Sequence, residues 1–343
     1  MRFSEFMQEW LYGEDGYYTK KITIGKEGDF YTAVSSSMFF GGSIANRLIS
    51  VIDEGFLSKD CVVVEVGAHK GYLLADMVQF IYTLRPELLE TLRFMIVEPQ
   101  AENAKMQIEY FKESFGDVVS LEHKTSLDDV DEDEAFVVAN EIFDAFSCEV
   151  IKDDKMLYMR SEHIPYFDEQ SEDIKKIVEK YGFRRGEIGL GYGEFANSIQ
   201  KAFKTYEFVT FDYGDKEQRS DFSLRIYHKH HTYPFFALTD FVKEEDEKPK
   251  GVSLEKLYKK SDITYDVNFT YLIDEFVNQG ATLVWYKTQL AALVEFGIDK
   301  LLELLAKNSD EATYKAELNR AKVLISPAFM GERFKCCVFR SSR

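Results

Sequence analysis

Four apolar runs in this chain, Cys61–Glu65, Phe94–Glu98, Phe136–Glu141 and Phe208–Asp212, each end on a carboxylate. Each run has the length and the β-branched or aromatic richness of a buried parallel strand. Packing alone does not explain a charge repeated at the end of a buried strand, because an unpaired ionised group there is costly. In open α/β sheets, ligands bind in the crevice beyond the carboxyl ends of the strands. The pattern therefore predicts a doubly wound, mainly parallel sheet whose C-terminal rim is lined with acids facing a ligand.

The spacing of the other elements agrees. Helices are expected over 3–12, 38–56, 72–84 and 100–115, strands over 61–66, 93–98 and 135–140, and a short strand near Val118–Leu121. Strand and helix in alternation imply right-handed crossovers and a parallel sheet. Between Cys148 and about Tyr206 the rhythm breaks: two short strands (148–151, 156–160) and helices at 170–181 and 194–204 read as an α+β insertion. A strand at 207–213 resumes it, then a helix near 268–279, a strand at 281–286 and helices over 288–306. A terminal pair near 319–325 and 334–340 is expected as an antiparallel hairpin at the sheet edge, and Asp128–Glu134 as a charged loop. The chain thus divides by order into an N-terminal helical and lid segment (1–57), a first core part (58–147), the inserted region (148–206) and a second core part (207–343) with a divergent loop at 241–262.

Composition limits the partners. With 343 residues and 45% hydrophobic content the chain can bury an ample core, and a net charge of −18 repels nucleic acid and anionic lipid. No apolar run approaches the roughly 18 residues of a membrane span, so no membrane insertion is expected. Four cysteines (Cys61, Cys148, Cys336, Cys337) lack metal-ligand spacing, and a reducing cytoplasm is the expected setting. The histidines of YHKHH (228, 230 and 231) have no carboxylate or cysteine at supporting spacing, so no metal site is expected.

The chemistry concentrates at three strand ends. Glu65-Val66-Gly67-Ala68-His69-Lys70-Gly71 joins a strand to a helix, with His69 where a dinucleotide turn has its central glycine. The wider G-x-x-x-G turn can bend beneath a ligand but is poorly built for phosphate. It favours a nucleoside without phosphates, such as S-adenosylmethionine, or else is an ordinary strand-to-helix turn. Glu98 ends the next strand, where an acid can accept from both ribose hydroxyls; the same carboxylate could simply cap the helix beginning near Gln100. A nicotinamide cofactor would use the same acid, but the missing phosphate turn argues against it. In Asn140-Glu141-Ile142-Phe143-Asp144, Glu141 and Asp144 at i, i+3 are expected on one face of a helical turn. Two carboxylates suit a guanidinium, which is inert while protonated at its pKa of about 13.8. They can hold it bidentately and take its proton as a methyl group arrives. Asp212-Tyr213-Gly214 ends the strand after the insertion, and Gly28-Asp29-Phe30-Tyr31-Thr32 can fold over the site as a lid.

Taken together, the segments FSEFMQEWLY, GYYT, IGKEGDFYTA, FFG, VVEVGAHKGYLLADM, MIVEPQ, VVANEIFDAF, FVTFDYG, LRIYHKH, SDITYDVNF and KTQLAALVEFGI resemble the MidA-type family of S-adenosylmethionine-dependent methyltransferases. That family includes a mitochondrial assembly factor for respiratory complex I associated with arginine dimethylation. The resemblance runs from about residue 3 to residue 300 and implies a class I methyltransferase fold, a seven-stranded sheet ending in an antiparallel pair. It implies cofactor binding by Gly67, Gly71 and Glu98, with Glu65 at the strand end; Asn140 and Asp29 are further candidate cofactor contacts, and on the carboxylate argument Glu141, Asp144 and Asp212 are the candidate catalytic acids. It also implies a protein substrate such as a respiratory-complex subunit, with a homodimer as a further expectation. A catalytically silent member that keeps the fold as a binding module is the alternative. It is motivated by His69, whose Cβ is expected to crowd the methionine moiety or push the backbone away from positive φ.

Overall fold

The four acid-ended runs become neighbouring strands. The computed structural model describes residues 1–19, 32–241 and 249–343; the proposed lid residues 28–31, Asp29 among them, and most of the charged stretch 241–250 lie outside the described residues. Strands β1 (Val62–Val66), β2 (Arg93–Val97), β3 (Leu121–Lys124), β4 (Glu132–Asn140), β5 (Phe203–Asp215), β6 (Thr282–Thr288) and β7 (Phe334–Ser342) share one sheet in the order β6-β7-β5-β4-β1-β2-β3. The pairings β5–β4, β4–β1, β1–β2 and β2–β3 are parallel, and β6–β7 is antiparallel. This is the class I methyltransferase sheet.

The antiparallel pair is not built from 319–325. That stretch belongs to the helix Glu311–Ile325, capped by Asp310, which accepts the Thr313 N–H at 2.8 Å; Ala321 and Leu324, three apart, turn inward. The antiparallel partner of β7 is β6, Thr282–Thr288, which precedes that helix in the chain. The charged stretch 128–134 is also more ordered than a loop: β4 begins at Glu132, where Arg93 Nη1 donates to Glu132 at 2.9 Å and Lys204 to Asp133 at 2.5 Å. Strand β3 lies slightly later than Val118–Leu121. The helical run expected at 288–306 is two helices, Gln289–Glu295 and Ile298–Asn308, divided at Gly297 with φ +84°.

Contacts divide the chain into two compact units. One comprises Thr32–Glu141, Glu194–Asp212 and Glu275–Arg343; the other Met1–Tyr31, Ile142–Gly193 and Tyr213–Asp274. In the first, helices Phe39–Asp53 and Tyr72–Leu84 bury Ile44, Leu48, Leu74, Met77 and Ile81 with Val63, Phe94, Ile96 and Phe136 of the sheet. Behind β5, Glu207 is fully buried and takes two hydrogen bonds from Arg47 (2.7 and 2.8 Å) and one from Arg340 (2.6 Å). The Arg47 guanidinium also lies 4.7 Å over the Trp285 ring, so the pair ties Phe39–Asp53 to β5, β6 and β7.

The second unit has an antiparallel sheet ordered Pro165–Glu169, Lys155–Met159, Cys148–Lys152, Arg185–Gly189, and a three-stranded sheet ordered His231–Pro234, Arg225–His228, Asp262–Thr264. Phe3, Phe6, Met7, Trp10 and Leu11 of the first helix pack with Val150, Leu157, Ile226 and Ile263. The Trp10 indole N–H donates to the Ser261 carbonyl at 2.6 Å.

Removing one partner of a buried ion pair strands the other charge. Arg47→Ala leaves buried Glu207 with Arg340 as its remaining partner and is expected to lower stability by up to about 3–5 kcal/mol in denaturant unfolding, far more than the loss of Arg85, whose partner Asp53 is exposed.

Candidate functional site

Register sets the acids at one rim of the first unit. In β1, Glu65 stands opposite Ile96 of β2 and Val138 of β4; Asn140 of β4 stands opposite Phe211 of β5. Glu98 and Glu141 therefore each follow the last residue of their strands, Asp212 follows Phe211, the last β5 residue paired with β4, and the Glu141 N–H donates to the Phe211 carbonyl at 2.8 Å. Glu65 lies two to three residues deeper in the sheet. Four of the predicted acids thus share the C-terminal ends of β2, β1, β4 and β5.

The turn after β1 keeps the shape that a glycine-rich loop would have. Gly67, His69 and Gly71 all have positive φ (72°, 47° and 76°). The expectation that a side chain at 69 would push the backbone out of this region is wrong: His69 adopts it, at the cost of about 1–3 kcal/mol of local strain that the surroundings must offset. A Cβ on Gly71 would meet Ile96 and Phe111 at 3.4 Å, so space is adequate and backbone sign is the constraint.

Two helix N-termini serve the acids. The Leu74 N–H, in the first turn of Tyr72–Leu84, donates to Glu65 at 3.0 Å; the Gln100 N–H, at the cap of Ala101–Phe115, donates to Glu98 at 3.1 Å. Glu98 is thus a cap, as one reading allowed, but its two oxygens offer about four acceptor sites, more than the Gln100 N–H and its neighbouring amides use. Burial pushes the Glu65 carboxyl up to about 8, against the Leu74 bond and helped by Asp76 and Glu98. Asp76, on the same helix and equally short of cations, is pushed up to about 7 by burial. Burial also raises Glu98, opposed by bonds from Gln100, Asn103 and Gln107.

Glu141 and Asp144 do not share a helical face. Glu141 sits at φ +52°, ahead of the short 3-10 turn Phe143–Ala145, and each acid bonds within its own unit. Glu141 is partly exposed and accepts from Asn140 Nδ2 (2.9 Å) and the Ala33 N–H (3.3 Å). Asn140 Oδ1 is buried with no hydrogen bond among the described residues, an acceptor aimed at the rim and fit for a ligand donor. Asp212 is fully buried.

Asp144 is buried too, and its carboxylate accepts from the Tyr213 hydroxyl and from Thr264 Oγ1 (2.8 Å). Burial raises its pKa despite these donors and the nearby Arg225 charge. Tyrosines hold the rest of the turn: Tyr265 (3.0 Å) and Tyr192 (3.3 Å) donate to the Phe143 carbonyl, and Tyr12 (3.1 Å) to that of Ala145. The DITYDV and DYG motifs therefore act through Thr264, Tyr265 and Tyr213 on the NEIFDA turn. Gly214 has no room for a side chain, since its Cβ would lie 2.0 Å from the Val267 carbonyl oxygen. Sequence reasoning missed the roles of Gln107 and these tyrosines because their partners lie far along the chain, and missed Asp76 because a lone acid within a helix carries no spacing signal. His228 Nδ1 pairs with Ser261 Oγ at 2.9 Å, and among the described residues no cluster suited to a metal ion occurs.

The rim fits an adenosyl group: a left-handed turn over 67–71, a ribose-type acid at 98, and in Asn140 Oδ1 a buried acceptor with no hydrogen bond among the described residues. The raised Glu65 carboxyl carries a pH signature. Folded Glu65 keeps its proton to about pH 8, whereas an unfolded glutamate loses it near 4.5, so between those values the folded chain binds more protons and stability falls as pH rises. Glu65→Gln is expected to flatten this fall, so that its stability advantage over the parent grows from pH 5 to pH 8 in thermal melts. A constant difference across that window would contradict the assignment.

Comparison with known proteins agrees with this reading of the site. Residues 43–287 match the S-adenosyl-L-methionine-dependent methyltransferase family Methyltransf_28. The mitochondrial protein arginine methyltransferase NDUFAF7 of Danio rerio is 24% identical over 97% of this chain and 81% of its own length. Its Xenopus laevis counterpart is 23% identical over 97% and 79%. A crystal structure from Burkholderia thailandensis bound to S-adenosyl-homocysteine gives a TM-score of 0.78 at 22% identity, covering 100% of this chain and 88% of that one. The native Burkholderia thailandensis structure gives 0.77 at 22% identity, covering 100% and 87%. Those likenesses establish the fold, while the family match establishes the cofactor. The chain belongs to the MidA-type S-adenosylmethionine-dependent methyltransferases, and S-adenosylmethionine is its cofactor.

Proposed function

We propose that this methyltransferase acts on an arginine side chain of a partner protein, a respiratory-complex subunit being the leading candidate. The observation that carries the reading is Glu141, a partly exposed carboxylate fixed in a left-handed conformation at the rim, with Asp212 on the neighbouring strand β5, just past its pairing with β4. Non-glycine residues in that conformation persist where the surroundings over-determine them, commonly at functional sites. The names of the two arginine-methyltransferase relatives support the same acceptor.

Bound S-adenosylmethionine supplies an electrophilic methyl group on a sulfonium. Glu98 accepts from the ribose hydroxyls, Gly67 and Gly71 let the backbone pass beneath the ligand, and Asn140 Oδ1 accepts from its donor groups; Glu65, through the Leu74 N–H, holds the start of the helix that follows the turn. Glu141 holds the protonated guanidinium, orients one nitrogen and takes its proton, while the buried Asp212 adds charge that favours the cation. Asp144 was expected to share this work. Its commitment to Tyr213 and Thr264 assigns it instead to holding the turn that follows Glu141. The four cysteines are buried, and among the described residues none forms a disulfide, which suits a reducing compartment such as the cytoplasm.

Glu141→Gln is expected to cut methyl transfer by about 10²–10⁴-fold while leaving S-adenosyl-homocysteine binding, read by calorimetry, within error of the parent. Asp144→Asn should instead lower the melting temperature and spare cofactor affinity. Methylation profiling of cells with and without the gene should show one arginine peptide losing methyl mass. Intact cofactor binding with no arginine peptide altered would favour a binding module or a different acceptor.

A further inference from the structure

The strained residue of the cofactor turn, His69, is held from outside the turn. Gln107, in the helix Ala101–Phe115 and fully buried, donates through Nε2 to the His69 carbonyl at 2.8 Å. The same side chain is close enough to the Glu98 carboxylate to oppose the rise in its pKa. A primary amide nitrogen carries two hydrogens, so one group can serve both acceptors. Its Oε1 meets His123 Nε2, from β3, at 3.1 Å. Because Oε1 can only accept, His123 must carry its proton on Nε2. Flipping the amide would set Oε1 against the His69 carbonyl and the Glu98 carboxylate, acceptor facing acceptor, and Nε2 against the histidine N–H. The orientation is therefore fixed by its three partners.

We propose that Gln107 is a positioning residue for S-adenosylmethionine: its single amide sets the spacing between the cofactor turn and the ribose-binding acid, and His123 keeps that amide the right way round. In the usual glycine-rich turn the left-handed backbone needs no such support. Here His69 needs it, and Gln107 supplies it while also aiming Glu98. The inference rests on the assignment of Glu98 and the 67–71 turn to the cofactor.

Calorimetry of the full chain with S-adenosyl-homocysteine tests it. Gln107→Met keeps length and volume but removes the amide, and is expected to weaken binding about tenfold or more while the protein remains folded by circular dichroism. His123→Leu should weaken binding in the same direction, and His123→Gln, which restores a donor to Oε1, should bind within about twofold of the parent. The double variant Gln107→Met with His123→Leu should bind no more weakly than Gln107→Met alone, because His123 acts only through the amide. A merely structural role would give additive losses. Parent-like affinity in folded Gln107→Met, or additivity in the double variant, overturns the proposal. If Gln107→Met does not fold, equal affinities of His123→Leu and the parent overturn it. Glu98→Ala serves as the control: if it binds like the parent, the cofactor-site assignment itself fails. If it abolishes binding while Gln107→Met changes nothing, only the role of Gln107 fails.

Discussion

Parallel pairing of β1 with β2 on one side and β4 on the other is the constraint on which the chemistry of this chain depends. Running the strands one way sends Glu98, Glu65, Glu141 and, through β5, Asp212 to the same rim. One antiparallel exchange among them would carry an acid to the opposite edge. Since Val62, Val63 and Val64 are covered on both faces, no charge is tolerable along the strand. It is tolerable at the end, where crossover helices begin and present free N–H groups. Leu74 and Gln100 are those donors, so the topology that collects the acids also makes them affordable.

The two units stabilise acids by different means. Around β1 and β2 the donors are backbone amides and one glutamine, which leave carboxylate oxygens available and the carboxyls inclined toward their protonated forms. In the other unit Asp144 is enclosed by Tyr213 and Thr264, Asp262 accepts from Tyr18 at 3.0 Å, and Glu187 accepts from Ser223 and Leu224. Acids enclosed by tightly placed hydroxyls and amides have little left to offer a substrate. That difference separates residues that can meet a ligand from residues that shape the wall behind it, although both kinds occur in motifs of similar appearance.

Much of this was legible in the residues. Apolar runs ending on acids gave β1, β2, β4 and β5, and turn chemistry placed the helix at Tyr72. What escaped was of two kinds. Ala321 and Leu324, three apart, share a helical face and would lie on opposite faces of a strand, and Asp310 caps that helix; neither signal was weighed, and the wrong partner for β7 followed. Asp144 looked like half of a carboxylate pair because spacing along the chain says nothing about Thr264 or Tyr213, which reach it from 120 and 69 residues away. Likewise His69 looked like a lesion in the turn because its support, Gln107, lies 38 residues on and carries no charge. Long-range hydrogen bonds decided each of these cases, and periodicity cannot report them.

The order of strands in the sheet has a consequence for how the molecule is made. β7 lies between β5 and β6, yet follows both in the chain. While a ribosome is still translating the helices after residue 289, the apolar edge of β5 has no neighbour on that side, and β6 cannot pair with β5 without blocking the slot. The nascent chain must therefore wait with an open, hydrophobic strand, the condition in which edges find the wrong partners. Folding of this protein is bound to the arrival of β7, and chaperone protection is most needed in the interval before it emerges.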